Sequence, residues 1–516
     1  MTAKTSKAPK TQITKRKFLM GAGVAAVGAA TSGGAIAQDK TNWDVIVVGG
    51  GNAGLPTAIF AAQRGAKVLV IEAAGQVGGT LFLSSGQMSA AGTKLQKSKG
   101  IEDKPQYHYD DIMRISKHTA DPVIVKLATE NAAPVFDWLM DNGFTPRPEH
   151  PLTGTTHEPY SRARYAWGAE GGRSILKVLN AQLAPQVAAG RVKVLTQTEV
   201  TELVQKKDGT VTGVVAKDKD GKVVRYNSHY VALTCGGYTF NPAMFQQIEG
   251  AKTYTQATYP FSMGAGITLG VKAGGYVRGG EYHTPIFGAV LASDELPSPM
   301  RAMARHFPPE RAPWEIFVNV RGQRFLREDI PSHDAYEQAL RVQPEERCWV
   351  VFDDEIYKNA PVLVRGGFAG PWTPEDTAEA FKSGTEMFYK ADTIADLAKK
   401  AGLDAKNLSD TVADYNRGQA SGKDALGREH MPRPIVKAPF YAVQLQSWNL
   451  TSYGGLAVDG ELRVVRMDGK PVPNLYAAGE LIGTGATMGQ SLCGGMAVTP
   501  ALAFGRLLGN QILKFG

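Results

Sequence analysis

A short glycine-rich stretch near the amino terminus, Gly49-Gly50-Gly51-Asn52-Ala53-Gly54, has the spacing GxGxxG. Glycines at these positions let the backbone approach a pyrophosphate and let a helix pack against a strand, and the amino end of that helix stabilises phosphate charge. Further along, Glu72 is of the residue type that accepts hydrogen bonds from ribose hydroxyls. The predicted contacts to a dinucleotide are Gly49, Gly51, Asn52, Ala53, Gly54 and Glu72.

The elements that must position this turn occur in the required order. Residues 44–48 are a short apolar, β-rich run before the glycines, residues 55–64 are typical of a helix, and Gly65 ends that helix. Residues 67–71 predict a second buried strand with Glu72 at its carboxyl end. A GxGxxG motif alone is a weak signal, so the prediction depends on this complete series of strand, turn, helix, strand and acid.

Three later segments favour a long ligand. They are GGTLFLSSGQMSAAGT at 78–93, VALTCGGYTF at 231–240 and VPNLYAAGELIG at 472–483. Because one nucleotide fold that contacts its ligand from such distant segments needs a long cofactor, FAD is the natural candidate. Between them we predict a β-meander, with strands near 192–196, 199–206, 210–216 and 222–226.

The order of motifs carries a family resemblance. Further motifs are FVNVRGQRFLRED at 317–329, WVVFDDEIYK at 349–358, SDTVADYNRGQASGKD at 409–424 and YGGLAVD at 453–459. With them, the chain resembles the flavoprotein family of fumarate reductase, succinate dehydrogenase and 3-ketosteroid dehydrogenase over nearly all of residues 42–513. It is most similar to soluble, extracytoplasmic fumarate reductases.

The resemblance implies an α/β fold with a discontinuous, Rossmann-like FAD-binding domain at residues 40–278 and 440–516. An inserted α+β capping domain at residues 279–439 would close over substrate and flavin. No residue stands out as a covalent anchor, so the FAD is expected to be noncovalent. The further FAD contacts that the resemblance implies are Gly78, Gly79, Thr80, Ser85, Gly86, Gly236, Gly237, Gly479 and Glu480.

The same resemblance leaves the substrate open. Fumarate reductases hold a dicarboxylate with an arginine in the cap, a histidine before a late Gly-Gly and an arginine before the last Gly-Gly, because carboxylates need cationic partners. These positions fall here on Ser332-His333, Thr451 and Leu492. The tyrosine that ketosteroid dehydrogenases place in the last loop is replaced by Ser491 or Leu492. We therefore expect a substrate other than a simple dicarboxylate.

Hydride transfer across a carbon–carbon bond also needs a proton carrier and donors that stabilise enolate-like charge. The catalytic candidates are Tyr453, His333, Arg327 and His283. Each has an alternative: packing for the tyrosine, a solvated surface position for His333 and Arg327, and a structural role for His283. Arg301 or Arg305 in the cap could also replace a missing cation.

Residues 1–37 predict a cleaved export signal. They contain six cations and no acid, then a Gly- and Ala-rich run, then Ala35-Ile36-Ala37, which fits an A-x-A cleavage site. The segment around Lys15-Arg16 resembles a twin-arginine signal with lysine in place of the first arginine. Since the six cations belong to the leader, most of the net charge of +8 leaves with it. The near-neutral mature chain predicts no nucleic-acid partner. Because the apolar run of the leader is short, contains glycines and is removed, we also expect no membrane span after processing.

The three cysteines, Cys235, Cys348 and Cys493, lie far apart and form no CxxC or CxxCH motif. We expect no disulfide, attached haem or metal site, so the electron partner should be a separate cytochrome or quinone system. The sequence predicts an extracytoplasmic FAD-dependent oxidoreductase that dehydrogenates or reduces a carbon–carbon bond next to a carbonyl or carboxylate of a small organic substrate. The alternatives are a fumarate reductase, a 3-ketosteroid dehydrogenase, and a flavin electron-transfer subunit or inactive flavin-binding relative.

Overall fold

The structure is a computed structural model that describes residues 36–154, 157–367 and 370–515. Residues 1–35, nearly all of the predicted export signal, therefore lie outside the described residues. Within the described part of the chain, no helix is long and apolar enough to cross a lipid bilayer.

The strands, numbered in chain order, are β1 (Ala37–Val48), β2 (Val68–Ile71), β3 (Met88–Ser89), β4 (Tyr165–Ala166), β5 (Val192–Leu195), β6 (Thr198–Gln205), β7 (Val211–Asp218), β8 (Val223–Leu233), β9 (Val277–Arg278), β10 (Ile286–Leu291), β11 (Met300–Ala304), β12 (Ile316–Val318), β13 (Arg347–Asp353), β14 (Val364–Arg365), β15 (Phe388–Ala391), β16 (Phe440–Trp448), β17 (Gly455–Leu456), β18 (Arg463–Val465) and β19 (Pro471–Ala477).

The α-helices are α1 (Gly54–Gln63), α2 (Lys94–Ser98), α3 (Pro105–Ile115), α4 (Pro122–Asp141), α5 (Gly172–Ala188), α6 (Pro242–Glu249), α7 (Ala265–Lys272), α8 (His333–Arg341), α9 (Asp354–Asn359), α10 (Pro374–Ser383), α11 (Ile394–Ala401), α12 (Ala405–Ser421), α13 (Thr484–Met488) and α14 (Val498–Leu507). Short 3₁₀ helices lie at Gly79–Phe82, Gly280–Tyr282, Pro344–Glu346 and Gly479–Ile482, and a π-helix at Leu508–Ile512.

The first sheet has a parallel centre, as the predicted α/β fold requires. Its order is β18-β19-β8-β1-β2-β5, and the pairs β19–β8, β8–β1, β1–β2 and β2–β5 are all parallel. β2 and the carboxyl-terminal ends of β1 and β8 are apolar and buried because helices cover both faces of such a sheet. The predicted strand at 44–48 is the end of β1, and the predicted helix at 55–64 is α1, so the GxGxxG turn joins them as expected.

The predicted meander is wrong in one strand. β6, β7 and the first part of β8 form an antiparallel ribbon, whereas β5 pairs parallel with β2 at the sheet edge. β5 follows α5, so the chain has crossed over before it enters the sheet, and a crossover of this kind produces a parallel pair. The remaining three strands are joined by turns at Asp208-Gly209 and Asp220-Gly221.

The second sheet is antiparallel and has its own hydrophobic core. Among the described residues it has the order β12-β13-β16-β10-β11-β14, with β15 also paired to β16. Its core is formed from residues 286–448, while the core of the first sheet is formed from residues 43–277 and 456–513. Every residue of β16 is buried at the centre of this second sheet. We therefore propose that the capping unit extends to Trp448 rather than ending at residue 439.

Candidate functional site

A cleft of about 720 Å³ opens at the carboxyl ends of the parallel strands β1, β2 and β8. This is where open α/β sheets bind their ligands. Most of the residues predicted to contact the cofactor line this cleft: Gly49, Gly51, Asn52, Ala53, Glu72, Gly79, Thr80, Ser85, Gly86, Gly236, Gly479 and Glu480.

Three predicted glycines lie behind the wall of the cleft instead. A side chain at Gly54 would collide with the carbonyl oxygen of Gly49, so this glycine allows α1 to pack against the turn. A side chain at Gly78 would lie 2.7 Å from the Phe82 ring, and one at Gly237 would lie 2.5 Å from Glu480 Oε1. These glycines shape the site from behind, and their contact with the cofactor stays a prediction.

The turn itself fits a bound phosphate. A Cβ built on Gly51 would have no atom nearer than the Gly79 Cα at 3.9 Å, so the backbone here faces open space in the cleft. The amino end of α1 at Ala53 has no side-chain cap, and the buried Asn52 Oδ1 has no hydrogen-bond partner among the described residues. Uncapped helix N–H groups beside a glycine backbone are suited to a pyrophosphate.

Glu72 lies at the end of β2, where the sequence places the ribose acceptor. Its Oε2 accepts a hydrogen bond from Gly50 N–H at 2.7 Å and its Oε1 accepts one from Ala74 N–H at 2.8 Å. Burial raises the pKa of this carboxyl, and the backbone donors oppose that rise. Each oxygen retains a second lone pair, so the held carboxylate can still accept from two hydroxyls.

Glu480 is the second buried carboxyl on the cleft. Its Oε1 accepts hydrogen bonds from Ser452 N–H at 2.9 Å and from Ser452 Oγ at 3.0 Å. Burial raises its pKa. These hydrogen bonds join the 3₁₀ helix after β19 to the loop before β17. Glu480 therefore holds these two carboxyl-terminal segments together beside the cleft.

The far end of the cleft is mostly apolar. The side chains there include Leu450, Thr451, Met488, Leu492 and Cys493. Among the described lining residues there is no arginine, and no residue between 279 and 439 contributes to the wall.

The cleft cations lie elsewhere along its wall. They are Lys217 and Lys219 at the end of β7, which line the cleft together with Asp218 and with Glu199 of β6. Thr451 and Leu492, which fall where the family resemblance predicts a substrate-binding histidine and arginine, line the same cleft.

Tyr453 and His283 are buried together outside the cleft wall. Their rings meet edge to face with centroids 5.9 Å apart. Glu249 Oε1 accepts hydrogen bonds from the backbone N–H groups of Tyr453 and Gly454. His283 lies between two acids, with Nδ1 3.6 Å from Glu249 Oε2 and Nε2 3.6 Å from Glu346 Oε1. His283 therefore bridges the two acids, and Tyr453 lies two residues after the cleft-lining Thr451.

The two catalytic candidates in the cap, His333 and Arg327, lie in different environments. His333 begins α8 and is buried, so its predicted solvated alternative is wrong; its ring stacks on His157 with centroids 4.7 Å apart. Arg327 lies at the surface, where Nε pairs with Asp329 at 2.6 Å and Nη2 approaches Glu429. Arg327 does not line the cleft, and neither Arg301 nor Arg305 does. The surface alternative therefore describes Arg327.

Several lining residues were not predicted. They include Gln197, Lys217, Lys219, Thr234, Cys235, Tyr259, Phe261, Ser262, Met263 and Cys493. Thr234 and Cys235 stand inside the glycine-bearing strand end at 231–240, so the motif already contained that signal. The residues of β6 and β7 had no motif, since they reach the cleft only through the ribbon's position in the sheet.

Comparison with known proteins resolves the nature of the cleft. The family model described as "FAD binding domain" matches residues 44–496. The chain belongs to this family. The probable fumarate reductase Ifc3 of Shewanella frigidimarina is 29% identical over 476 residues, covering 91% of this chain and 74% of that protein. The vinyl phenol reductase of Lactiplantibacillus plantarum is 28% identical over 502 residues, covering 92% of this chain and 97% of that protein.

Among solved structures, the open conformation of a flavocytochrome c3 fumarate reductase is similar, with a TM-score of 0.70 and 27% identity. The match covers 92% of this chain and 78% of that one. This member of the FAD binding domain family is therefore an FAD-dependent oxidoreductase that acts on carbon–carbon bonds, and the α/β fold with its FAD is confirmed.

Proposed function

We propose that the protein either reduces a carbon–carbon double bond or forms one by dehydrogenating a single bond, next to a carbonyl, a single carboxylate or an aromatic ring, in a substrate less charged than fumarate. The observation that carries the proposal is the far end of the cleft, where Thr451 and Leu492 stand among apolar side chains and no arginine contributes to the described wall. An aromatic or aliphatic substrate body can be buried there without a cationic partner.

The physical reason concerns the cost of burying charge. An ionised carboxylate that leaves water without a charged partner loses several kcal/mol of solvation free energy. Each charge-assisted hydrogen bond that a pocket supplies is worth about 1.5 to 3 kcal/mol. A neutral enone or vinyl arene avoids this cost, and a monocarboxylate incurs it once while fumarate incurs it twice.

Different residues around this cleft would bind the cofactor, supply the proton and position the loop that carries it. Bound FAD would supply the two-electron chemistry, and the turn after β1, Glu72 and Glu480 would hold it. We propose Tyr453 as the proton source because it lies two residues after the cleft-lining Thr451; burial raises the pKa of its phenol well above its usual range, so the phenol is protonated at neutral pH. The two backbone bonds to Glu249 hold the loop that carries Tyr453 in place.

The named relatives support this substrate class without fixing it. The name of the vinyl phenol reductase gives a substrate that carries no carboxylate, whereas the Shewanella protein is named for fumarate. Because this chain has a threonine and a leucine where fumarate reductases place cations, we propose that its substrate belongs to the less charged class.

Export and an external electron partner are part of the same proposal. Cleavage after Ala37 would leave Gln38 within β1, where it lies opposite Arg225 of β8. A flavoprotein outside the cytoplasm has no pool of NADH, so we propose a separate cytochrome or quinone system as its redox partner. The likeness to a flavocytochrome supports a cytochrome-type donor. We also propose that the FAD is noncovalent and is released by acid.

An anaerobic assay of the purified mature protein tests this function. Reduced artificial donor is supplied with cinnamate, 4-vinylphenol, 2-cyclohexenone or fumarate, and products are identified by mass. We expect the reduced product of at least one of the first three compounds, and a loss of at least tenfold in kcat for Tyr453→Phe with flavin content unchanged. If none of the compounds is reduced and the reverse reaction with an oxidised acceptor also fails, the electron-transfer or inactive alternative is correct.

A further inference from the structure

A cluster of three ligand-type side chains lies outside the cleft, between the two units of the fold. His157 comes from the loop between α4 and β4 in the first unit, and His333 and Glu337 come from α8 in the capping unit. One ligand atom from each residue lies within 4.8 Å of the others. The set of two imidazoles and one carboxylate is typical of protein sites for zinc and similar divalent cations.

The ligand atoms of the cluster lie close together, and because the His157 and His333 rings stack 15° from parallel, one ring must turn before both can bind the same ion in the plane of the ring. The Nε2 atoms of His157 and His333 each lie 3.6 Å from the same carboxylate oxygen, Glu337 Oε1. Zinc–ligand bonds of about 2.0 to 2.2 Å at tetrahedral angles place neighbouring ligand atoms roughly 3.4 Å apart. The observed separations are therefore longer than a hydrogen bond and close to the spacing across a metal ion.

The Glu337 carboxylate is buried with little compensation for its charge. The Glu337 side chain is 1% exposed, and the two imidazoles paired with it, those of His157 and His333, each lie 3.6 Å from its Oε1. Lys117 lies near this helix but pairs with Asp334 at 2.7 Å. Burying a carboxylate is costly, and a cation at its Oε1 would lower that cost.

The surroundings hold the cluster in register. His333 and Glu337 are one helical turn apart, so both project from the same face of α8. Ser332 caps α8 by accepting a hydrogen bond from Ala335 N–H, and its hydroxyl donates to Glu158, the residue after His157. The Phe307 ring stacks on the His333 ring with centroids 5.1 Å apart.

We propose that His157, His333 and Glu337 bind one divalent transition-metal ion of the zinc class, which ties the FAD-binding unit to the capping helix. The site departs from the expectation, drawn from the cysteines, that the protein has no metal site. The signal in the sequence was the spacing of His333 and Glu337, which becomes a ligand pair only when folding brings His157 against it.

The test uses the full-length mature protein with its FAD. Zn²⁺ is added, excess ion is removed by dialysis, and the bound metal is measured by elemental analysis and by zinc-edge X-ray absorption. We expect one zinc per chain with two imidazole ligands. His157→Ala and Glu337→Gln should each weaken binding at least tenfold.

Two controls separate the ligands from the interface. Gln338→Ala removes the contact from Gln338 Nε2 to Gln490 O, a neighbouring link between α8 and the first unit, and leaves the three ligands in place. His229→Ala removes an exposed histidine of β8. Both should bind zinc as the wild type does. Binding below one ion per chain, wild-type binding by His157→Ala and Glu337→Gln, or equal loss in Gln338→Ala would overturn the proposal.

Discussion

The two ends of the cleft are built in different ways. At the dinucleotide end, Gly49, Gly51 and the amino end of α1 present backbone atoms, and Glu72 is held by two backbone N–H groups. At the far end, Thr451 and Leu492 present side chains from separate loops. Backbone geometry restricts which residues can occupy the first end, whereas the second can change its chemistry by a single substitution. Family membership therefore determines the cofactor and leaves the substrate to be argued.

The largest effect is expected from breaking the dinucleotide end. Gly54→Val places a side chain against the Gly49 carbonyl, so α1 cannot pack on the turn and the protein should purify without flavin. Gly51→Ala meets no atom nearer than 3.9 Å, so the variant should fold but bind FAD at least tenfold more weakly, because its methyl group occupies the phosphate position. Flavin absorbance per protein measures both.

Gly460→Ala is the control for these glycine variants. Its added carbon would meet only Val123, at 3.3 Å, and Gly460 does not line the cleft, so flavin content should match the wild type. Wild-type FAD affinity in Gly51→Ala would show that the turn does not hold the phosphates.

A substitution at the far end of the cleft should increase the preference for a dicarboxylate. Leu492→Arg restores a cation at the position where the family binds a carboxylate, and one charge-assisted hydrogen bond of about 1.5 to 3 kcal/mol corresponds to a roughly 10- to 150-fold gain in kcat/KM for fumarate. Leu492→Met keeps a neutral side chain of similar volume and should leave kcat/KM for fumarate unchanged. An equal response of the two variants would mean that Leu492 does not face the substrate.

Glu72→Gln should have a smaller effect at the dinucleotide end. The amide nitrogen of the new side chain faces either Gly50 N–H or Ala74 N–H, so one backbone donor loses its acceptor and FAD affinity should fall about tenfold. Fluorescence titration of the apoprotein measures this, with Glu202→Gln, an exposed position on β6, as the matched variant. An unchanged affinity would remove Glu72 from the site.

The smallest effect concerns a histidine behind the cleft. His108 is buried against Ser89, and burial, assisted by Arg164, lowers its pKa well below 6.5. The unfolded chain then binds one more proton than the folded chain below pH 6.5, so stability is full above that pH and is lost as the pH falls, by about 1.4 kcal/mol per pH unit for this group.

Urea unfolding between pH 7.5 and 5.5 measures that linkage. His108→Gln should reduce the slope of unfolding free energy against pH by about one proton, whereas His229→Gln, at an exposed position, should leave it unchanged. A slope that is the same in His108→Gln and the wild type would place the acid sensitivity elsewhere.

The features that the sequence could predict lie mainly at the dinucleotide end of the cleft. The β1–α1 turn, Glu72 and the later glycine segments were predictable because local backbone demands restrict their residues. β5 was assigned to the wrong ribbon, since a strand's partner depends on where the preceding helix returns the chain. The burial of His333 and the surface pairing of Arg327 were not predictable, because both depend on contacts between segments distant in the chain.

The central claim is that the substrate end of the cleft has lost its dicarboxylate partners. The most direct measurement is the ratio of kcat/KM for the best of cinnamate, 4-vinylphenol and 2-cyclohexenone to kcat/KM for fumarate, with the same donor and pH. Two missing charge-assisted hydrogen bonds predict a ratio of roughly a thousand in favour of the less charged compound. A ratio below one, with fumarate preferred over all three, would contradict the account and show that another cation has entered the site.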